Sequence, residues 1–365
     1  MTGIAELTAE LVRIDSVNPG LIAGAAGEAE AARFVADWLE RASLDVDVDV
    51  VEPLPGRPSV IGRARGRGGG RTLMLNAHLD TVGVETMEAP FDPRVEDGRL
   101  YGRGSYDMKG ALAAAMVAAV EARGRNLRGD VVVTAVADEE LGSLGTEAIL
   151  EHVHADAAIV CEPTELRVAV AHRGFAGFEI ETHGVAAHGS RPDLGVDAIA
   201  RMGHVLVALE ELDSQLQAGR RHPLVGSASL HASLIEGGQE LSSYPARCLL
   251  SGERRTLPGE SLEDVEAQLR AAAGDADVRV FVSRQPFETD ERHALVETVT
   301  AAAQTKGVVG LPFWTDAALI AAAGTPTVLF GPVGEGAHAA VEWVDVSSLE
   351  RCREVYGAVA KAVCG

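Results

Sequence analysis

The chain has 365 residues, 47% hydrophobic and 24% charged, the profile of a globular protein long enough to bury a substantial core. Lys and Arg total 32 against 54 Asp and Glu, a net charge of -22, which argues against a nucleic-acid binder and against adhesion to anionic membranes, because both need a basic face. There is no run of about 18 apolar residues and no basic, apolar leader in residues 1–10, so a cytoplasmic protein is expected.

Residues 1–45 read as two helices joined by a turn at Asn18-Pro19-Gly20. Residues 46–51 alternate Val and Asp, the period-2 pattern of a half-exposed strand. Residues 63–71 are rich in Gly and Arg and read as a hairpin turn; a phosphate-binding loop is the rival, but neither GxxxxGK[ST] nor GxGxxG with a following helix is present. Three apolar runs, residues 72–77, 131–137 and 157–161, then read as buried strands. They end in His78-Leu79-Asp80, in Asp138-Glu139-Glu140 and in Glu162. Between the first two, an Ala-rich helix is predicted over residues 108–123, preceded by Asp107. Alternating strands and helices imply an α/β fold with an open, mostly parallel sheet. In such sheets the loops at the carboxyl ends of the strands converge on the ligand site.

From residue 174 the rhythm changes. Strand 175–182, helix 193–217, strands 227–235 and 246–252, helix 261–273 and strand 278–283 give βαββαβ, a split-βαβ sandwich of four antiparallel strands under two helices. This reads as an α+β domain inserted into the α/β host. The expected division is residues 1–173 and 284–365 for a discontinuous host domain and 174–283 for the insert. The host pattern then resumes with helices near 291–306 and 315–323, a strand at 327–330, a Gly-rich loop, and a closing helix from Ser347.

His78, Asp107, Glu140, Glu162 and His338 are candidate metal ligands, because two imidazoles and three carboxylates suit two divalent ions with one carboxylate shared. A single His or acidic pair at a strand end is ordinarily a solvated residue; the repetition over successive strand ends argues otherwise. Cys161, Cys248, Cys352 and Cys364 lie far apart with no CxxC, which suggests neither a disulfide framework nor a cysteine zinc site. His152 and His154 read as surface residues near a helix end, and Thr315 or Asp316 as a helix cap.

These segments carry a resemblance. His78-Leu79-Asp80-Thr81, Gly102-Arg103-Gly104-Ser105-Tyr106-Asp107-Met108-Lys109-Gly110, Ala137-Asp138-Glu139-Glu140 and Cys161-Glu162-Pro163-Thr164 are similar, in order, to the signatures of the dinuclear-zinc amidohydrolases. That metallopeptidase family includes acetylornithine deacetylase, succinyl-diaminopimelate desuccinylase, aminoacylase and the glutamate carboxypeptidases. Gly184-Val185-Ala186-Ala187-His188, Gly331-Pro332 and Ala337-His338 fit as well. The run from Glu253 to Gly259 most resembles the acetylornithine deacetylase group.

The resemblance implies a zinc-exopeptidase-like catalytic domain and an inserted lid and dimerisation domain. It implies two divalent metals, zinc with cobalt or manganese as alternatives, and hydrolysis of the amide of an N-acyl amino acid. Asp107 would bridge the metals, His78 and Glu162 would complete one site, and Glu140 and His338 the other. Asp80 would orient the His78 ring, and Glu139 would be the general base acting on a metal-bridging water. His188 would stabilise the oxyanion, reaching across a homodimer formed through the insert, and Arg255 would grip the substrate carboxylate, with Arg254 as the alternative. The segment Gln239-Glu240-Leu241-Ser242-Ser243-Tyr244-Pro245 lacks the Asn that the family often carries before this proline. A dipeptidase or carboxypeptidase on the same scaffold, or a non-catalytic binding protein, are the rival readings.

Overall fold

Apolar residues three and four apart put Ile4, Leu7 and Leu11 of helix Ile4–Arg13 on one buried face, and Ala31, Ala32, Val35 and Leu39 of helix Ala29–Ala42 on another. The computed structural model describes residues 3–42, 46–84 and 86–365; residues 43–45, the end of the predicted helical pair, lie outside them. The chain divides into two compact units, one of Met1–Val170, Thr289–Val309 and Thr315–Gly365, the other of Ala171–Glu288 and Gly310–Trp314. No helix among the described residues is long and apolar enough to cross a membrane.

In the first unit the strands Val46–Val51, Ser59–Ala64, Val131–Val136, Leu73–His78, Ala157–Val160 and Thr327–Leu329 lie side by side in that order. The first two pairings are antiparallel and the last three parallel, so the parallel strands form the centre. Val131–Val136, Leu73–His78 and Ala157–Val160 are buried along their whole length, which is why they read as mostly apolar runs instead of alternating ones. Helix Gly110–Arg123 is buried almost all round, and its alanines let it sit close to its neighbours. It starts two residues later than expected, because Asp107 (φ -116°, ψ 91°) and Met108 (φ -136°, ψ 32°) are not helical.

The hairpin expected at residues 63–71 is not there. Val131–Val136 inserts between Ser59–Ala64 and Leu73–His78, so the Gly-rich segment is a crossing connection. Its backbone pairs with the loop before the inserted strand, Arg67 N–H to Leu127 O (2.9 Å) and Gly68 N–H to Arg128 O (2.8 Å). A side chain at Gly66 or Gly70 would collide with the Arg128-Gly129 backbone, which accounts for glycine there.

The second unit is a four-stranded antiparallel sheet in the order Ser229–Gly237, Arg247–Thr256, Gly174–His183, Asp277–Arg284. Alternate residues Phe178 and Ile180 meet Leu250, and pack with Met202, Val205 and Leu209 of helix Ala198–Ala218 and Val265 and Leu269 of helix Leu262–Ala273. The long helix begins at Ala198, not at 193, because Asp197 caps it by accepting the Ala200 N–H at 2.9 Å. Ser261 and Asp264 form a capping box on the second helix.

Candidate metal centre

Val131–Val136, Leu73–His78, Ala157–Val160 and Thr327–Leu329 are parallel neighbours, so their carboxyl ends share one edge. That edge carries Glu139 and Glu140, His78, Glu162, and the loop leading to His338. Strands about 4.8 Å apart bring side chains from separate parts of the chain within reach of a common centre.

Two trios result. One ligand atom each from His78, Asp107 and Glu162 lie within 4.8 Å of one another, as do those of Asp107, Glu140 and His338. Asp107 belongs to both: Oδ1 is 3.1 Å from His78 Nε2 and Oδ2 is 3.4 Å from His338 Nε2. Glu162 Oε1 lies 3.9 Å from His78 Nε2, and Glu140 Oε2 lies 3.0 Å from His338 Nε2. Glu140 Oε1 is buried with no hydrogen-bond partner among the described residues, an orphaned acceptor in a site rich in acceptors. Two imidazoles, three carboxylates and this unsatisfied oxygen fit a pair of divalent ions.

The electrostatics agree. His338 is pushed up to about 10 by its hydrogen bonds to Asp107 and Glu140. Burial alone would raise Asp107, but the hydrogen bonds from His338 and His78 hold its carboxyl well below the usual range. Burial, followed by the charge of Asp107, raises Glu162 well above it. Burial and the Glu162 charge do the same to Glu139. This pocket holds more carboxylate than its two imidazoles can balance.

The His78 ring is set by its own strand end. Nδ1 donates to the Asp80 main-chain carbonyl at 2.8 Å, which leaves Nε2 facing Asp107 and Glu162. The expected orienting group, the Asp80 carboxylate, is 3.8 Å away and does something else. It accepts the Glu139 N–H (3.1 Å) on Oδ1 and the Glu140 N–H (3.2 Å) on Oδ2, anchoring the turn that carries both. Glu139 and Glu140 thus stand on a turn beyond the strand end. The strand stops at Val136, and Asp138, which opens the turn, has a positive φ of 68°.

Glu342 was not foreseen. It is 2% exposed and accepts the N–H groups of Gly104, Tyr106 and Asp107 at 2.9 to 3.0 Å. It also pairs with Arg103 at 2.7 Å. Arg103 in turn donates to Ala339 O at 3.0 Å, so one ion pair ties the Asp107 turn to the His338 loop. Gly104 sits at φ 77°, a left-handed position where a Cβ would press on Thr81 and Lys109. The only sequence signal for Glu342 is a lone acid between Val341 and Trp343. Thr315, not Asp316, caps the helix Ala317–Ala322, accepting the Ala317 N–H at 3.2 Å; the buried Asp316 carboxylate takes the Thr146 hydroxyl at 2.5 Å. His152 and His154 are exposed.

His188 and Arg255 belong to the second unit. His188 is exposed, with Nδ1 2.8 Å from Ser190 Oγ. Arg255 is half-buried, 2.6 Å from Glu253 and over the Phe175 ring at 5.6 Å. Arg254 is 1% exposed and held inside the unit by Glu260 (2.9 Å) and the Arg255 carbonyl, so it is spent on structure.

A parallel-strand edge with two candidate metal-ligand trios sharing one aspartate, and a glutamate beside them, suits metal-dependent hydrolysis. Residues 74–362 match peptidase family M20/M25/M40, and the chain belongs to that family. It is 31% identical to acetylornithine deacetylase from Myxococcus xanthus, over 98% of this chain and 96% of that protein. Identity to acetylornithine deacetylase from Proteus mirabilis (strain HI4320) is 28%, over 91% and 89%. Aminopeptidase PepT from Bacillus cereus ATCC 10987 has the same fold, with a TM-score of 0.80 at 22% identity, over 99% of this chain and 98% of that one. So does the YXEP protein of Bacillus subtilis, a dinuclear metal binding peptidase, with a TM-score of 0.75 at 19% identity, over 99% and 97%.

Proposed function

We propose that the protein hydrolyses the amide of an N-acyl amino acid, in the manner of an acetylornithine deacetylase, releasing a carboxylate and an amine. The observation that carries this is Asp107, shared between two ligand trios with Glu139 on the adjoining turn. His78 and Glu162 would hold one divalent ion and Glu140 and His338 the other, with zinc as the expected metal and cobalt or manganese as alternatives. When bound, the ions polarise the scissile carbonyl and lower the pKa of water from about 16 towards about 7. Glu139 takes a proton from the attacking water, the water oxygen adds to the carbonyl carbon, and the C–N bond breaks as Glu139 returns the proton to the leaving nitrogen. His188, reaching across the proposed homodimer, donates a hydrogen bond to the oxyanion.

The acyl preference rests on the acetylornithine deacetylase relatives, and a dipeptidase or carboxypeptidase is the competing reading because an arginine grips either kind of substrate carboxylate equally well. One assay separates them. Metal-free and metal-reconstituted protein is presented with N-acetyl, N-succinyl and N-formyl amino acids and with dipeptides. Metal-dependent amine release from an N-acyl substrate supports deacylation. A requirement for a free α-amine would overturn it in favour of a dipeptidase, and protein that binds no metal would overturn both.

Arg255 is the proposed carboxylate clamp, supported by its half-exposed guanidinium beside a fully enclosed Arg254. Arg255→Ala is expected to raise KM about 10- to 100-fold for substrates carrying the carboxylate, the worth of charge-assisted hydrogen bonds. An equal effect on a carboxyl-blocked analogue would refute the assignment.

Homodimerisation through the second unit is part of the same reading. Ser229–Gly237 is an edge strand with open backbone groups, and Leu234 (71%) and Ile235 (55%) on it are exposed, as is Val207 (56%) on helix Ala198–Ala218. A second copy pairing along this edge would cover them. Leu234→Arg is therefore expected to convert a dimer to a monomer in sedimentation equilibrium; wild-type protein that sediments as a monomer would exclude the dimer.

A further inference from the structure

Beneath the Glu139-Glu140 turn lies a buried polar network that the chemistry above does not use. Arg57, with 11% of its side chain exposed, forms a two-pronged pair with the fully buried Glu28: Nε to Oε2 and Nη2 to Oε1, both 2.7 Å. The same Nη2 lies 2.8 Å from Asp138 Oδ1 and 3.1 Å from Asn18 Oδ1. Asn18 Nδ2 donates to Asp138 Oδ1 (3.0 Å) and to Asp80 Oδ2 (2.8 Å), and Asp80 accepts the N–H groups of Glu139 and Glu140. Glu28 Oε1 also accepts the Asp138 N–H at 3.2 Å. Asp138 opens the turn, its carbonyl accepting the Gly142 and Ser143 N–H groups at 2.9 and 2.5 Å.

We propose that Arg57 is a positioning residue for the Glu139-Glu140 turn, acting through Asp138 directly and through Asn18 and Asp80. The proposal rests on the reading of Glu139 as general base. Two carboxylates, those of Glu28 and Asp138, and the Asn18 amide oxygen are gathered around one guanidinium, whose planar fork fixes their relative placement in a way that the point charge of a lysine does not. Asp80 can present its two oxygens to two successive N–H groups because Asn18 holds it from behind. An error there moves the base relative to the bond it serves, and small misplacements of a catalytic group are expensive.

The full-length, metal-loaded protein tests this with Arg57→Lys, measured for kcat, KM, bound metal and amide hydrogen exchange. The expected result is a kcat about 30-fold lower with KM changed less than about threefold. In the metal-free protein the turn at residues 138–142 should exchange faster by about 10-fold while the strands Leu73–His78 and Val131–Val136 keep their protection. In a Glu139→Gln background the same substitution should cost less than about threefold more, because two residues acting through one step are not additive. An unchanged kcat, an equal loss in both backgrounds, or exchange loosened across the whole unit would each overturn the proposal. Should Arg57→Lys not fold, Asn18→Ala cuts the link to Asp80 and is judged by the same readouts. Absence of any metal-dependent amide hydrolysis by the wild type would instead bring down the underlying function, while the exchange data would still show whether Arg57 holds the turn.

Discussion

Glu139→Gln is expected to lower kcat by about 10²- to 10⁴-fold, the usual contribution of a general base, while bound metal stays unchanged. The amide replaces a proton acceptor with a group of the same shape that cannot take the proton. The main chain has no reason to move: the Glu139 N–H still donates to Asp80 Oδ1 at 3.1 Å and the Glu140 N–H to Asp80 Oδ2 at 3.2 Å. Glu140→Gln should give the opposite signature, because Glu140 Oε2 faces His338 at 3.0 Å and its Oε1 has no hydrogen-bond partner among the described residues. It should lose metal first and activity as a consequence. Measuring bound metal and kcat for both variants distinguishes the roles. Glu139→Gln protein that lost its metal would make Glu139 a ligand and leave the reaction without its base.

The second large effect is at Asp107. It is the one residue common to both trios, with separate oxygens toward His78 and His338, so on the proposed assignment its removal would strip a ligand from both sites at once. Asp107→Asn is expected to reduce bound metal from two ions to fewer than one and kcat/KM by about 10³-fold or more, since both the polarised carbonyl and the activated water depend on the ions. Glu162→Gln and Glu140→Gln should each empty only one site. Elemental analysis after dialysis against a limiting concentration of zinc reads the difference. Asp107→Asn protein that keeps two ions would show that the two trios do not share a bridging carboxylate. The Glu342 carboxylate, which holds the Asp107 N–H at 3.0 Å, is untouched by this change, so the turn itself should survive.

Much of this architecture was legible because its signals are local. The fully buried strands announced themselves as mostly apolar runs, and the polar residues at or beyond their ends, His78, Glu140 and Glu162, stood out against those runs. The βαββαβ order was readable from changes in period, since alternation by two and by three or four is a property of neighbouring residues. Where the reading failed, the deciding contact was distant in sequence. Residues 63–71 looked like a hairpin because nothing in them says that Val131–Val136 will enter between the flanking strands. The Asp80 carboxylate looked like the partner of the nearest histidine, yet its oxygens went to N–H groups 59 and 60 residues away.

Sequence alone therefore determined the fold class, the strand ends at which His78, Glu140 and Glu162 gather, and the family to which the chain belongs. Only the tertiary structure decided that Asp107 faces two imidazoles, that Glu342 and Arg103 tie its turn to the His338 loop, and that Arg57 sits under the Glu139 turn among Glu28, Asn18 and Asp138. The physical reason is the same in each case. Burial forces polar groups to find partners, but which partners they find depends on loops closed over tens to hundreds of residues, and no local pattern encodes that choice.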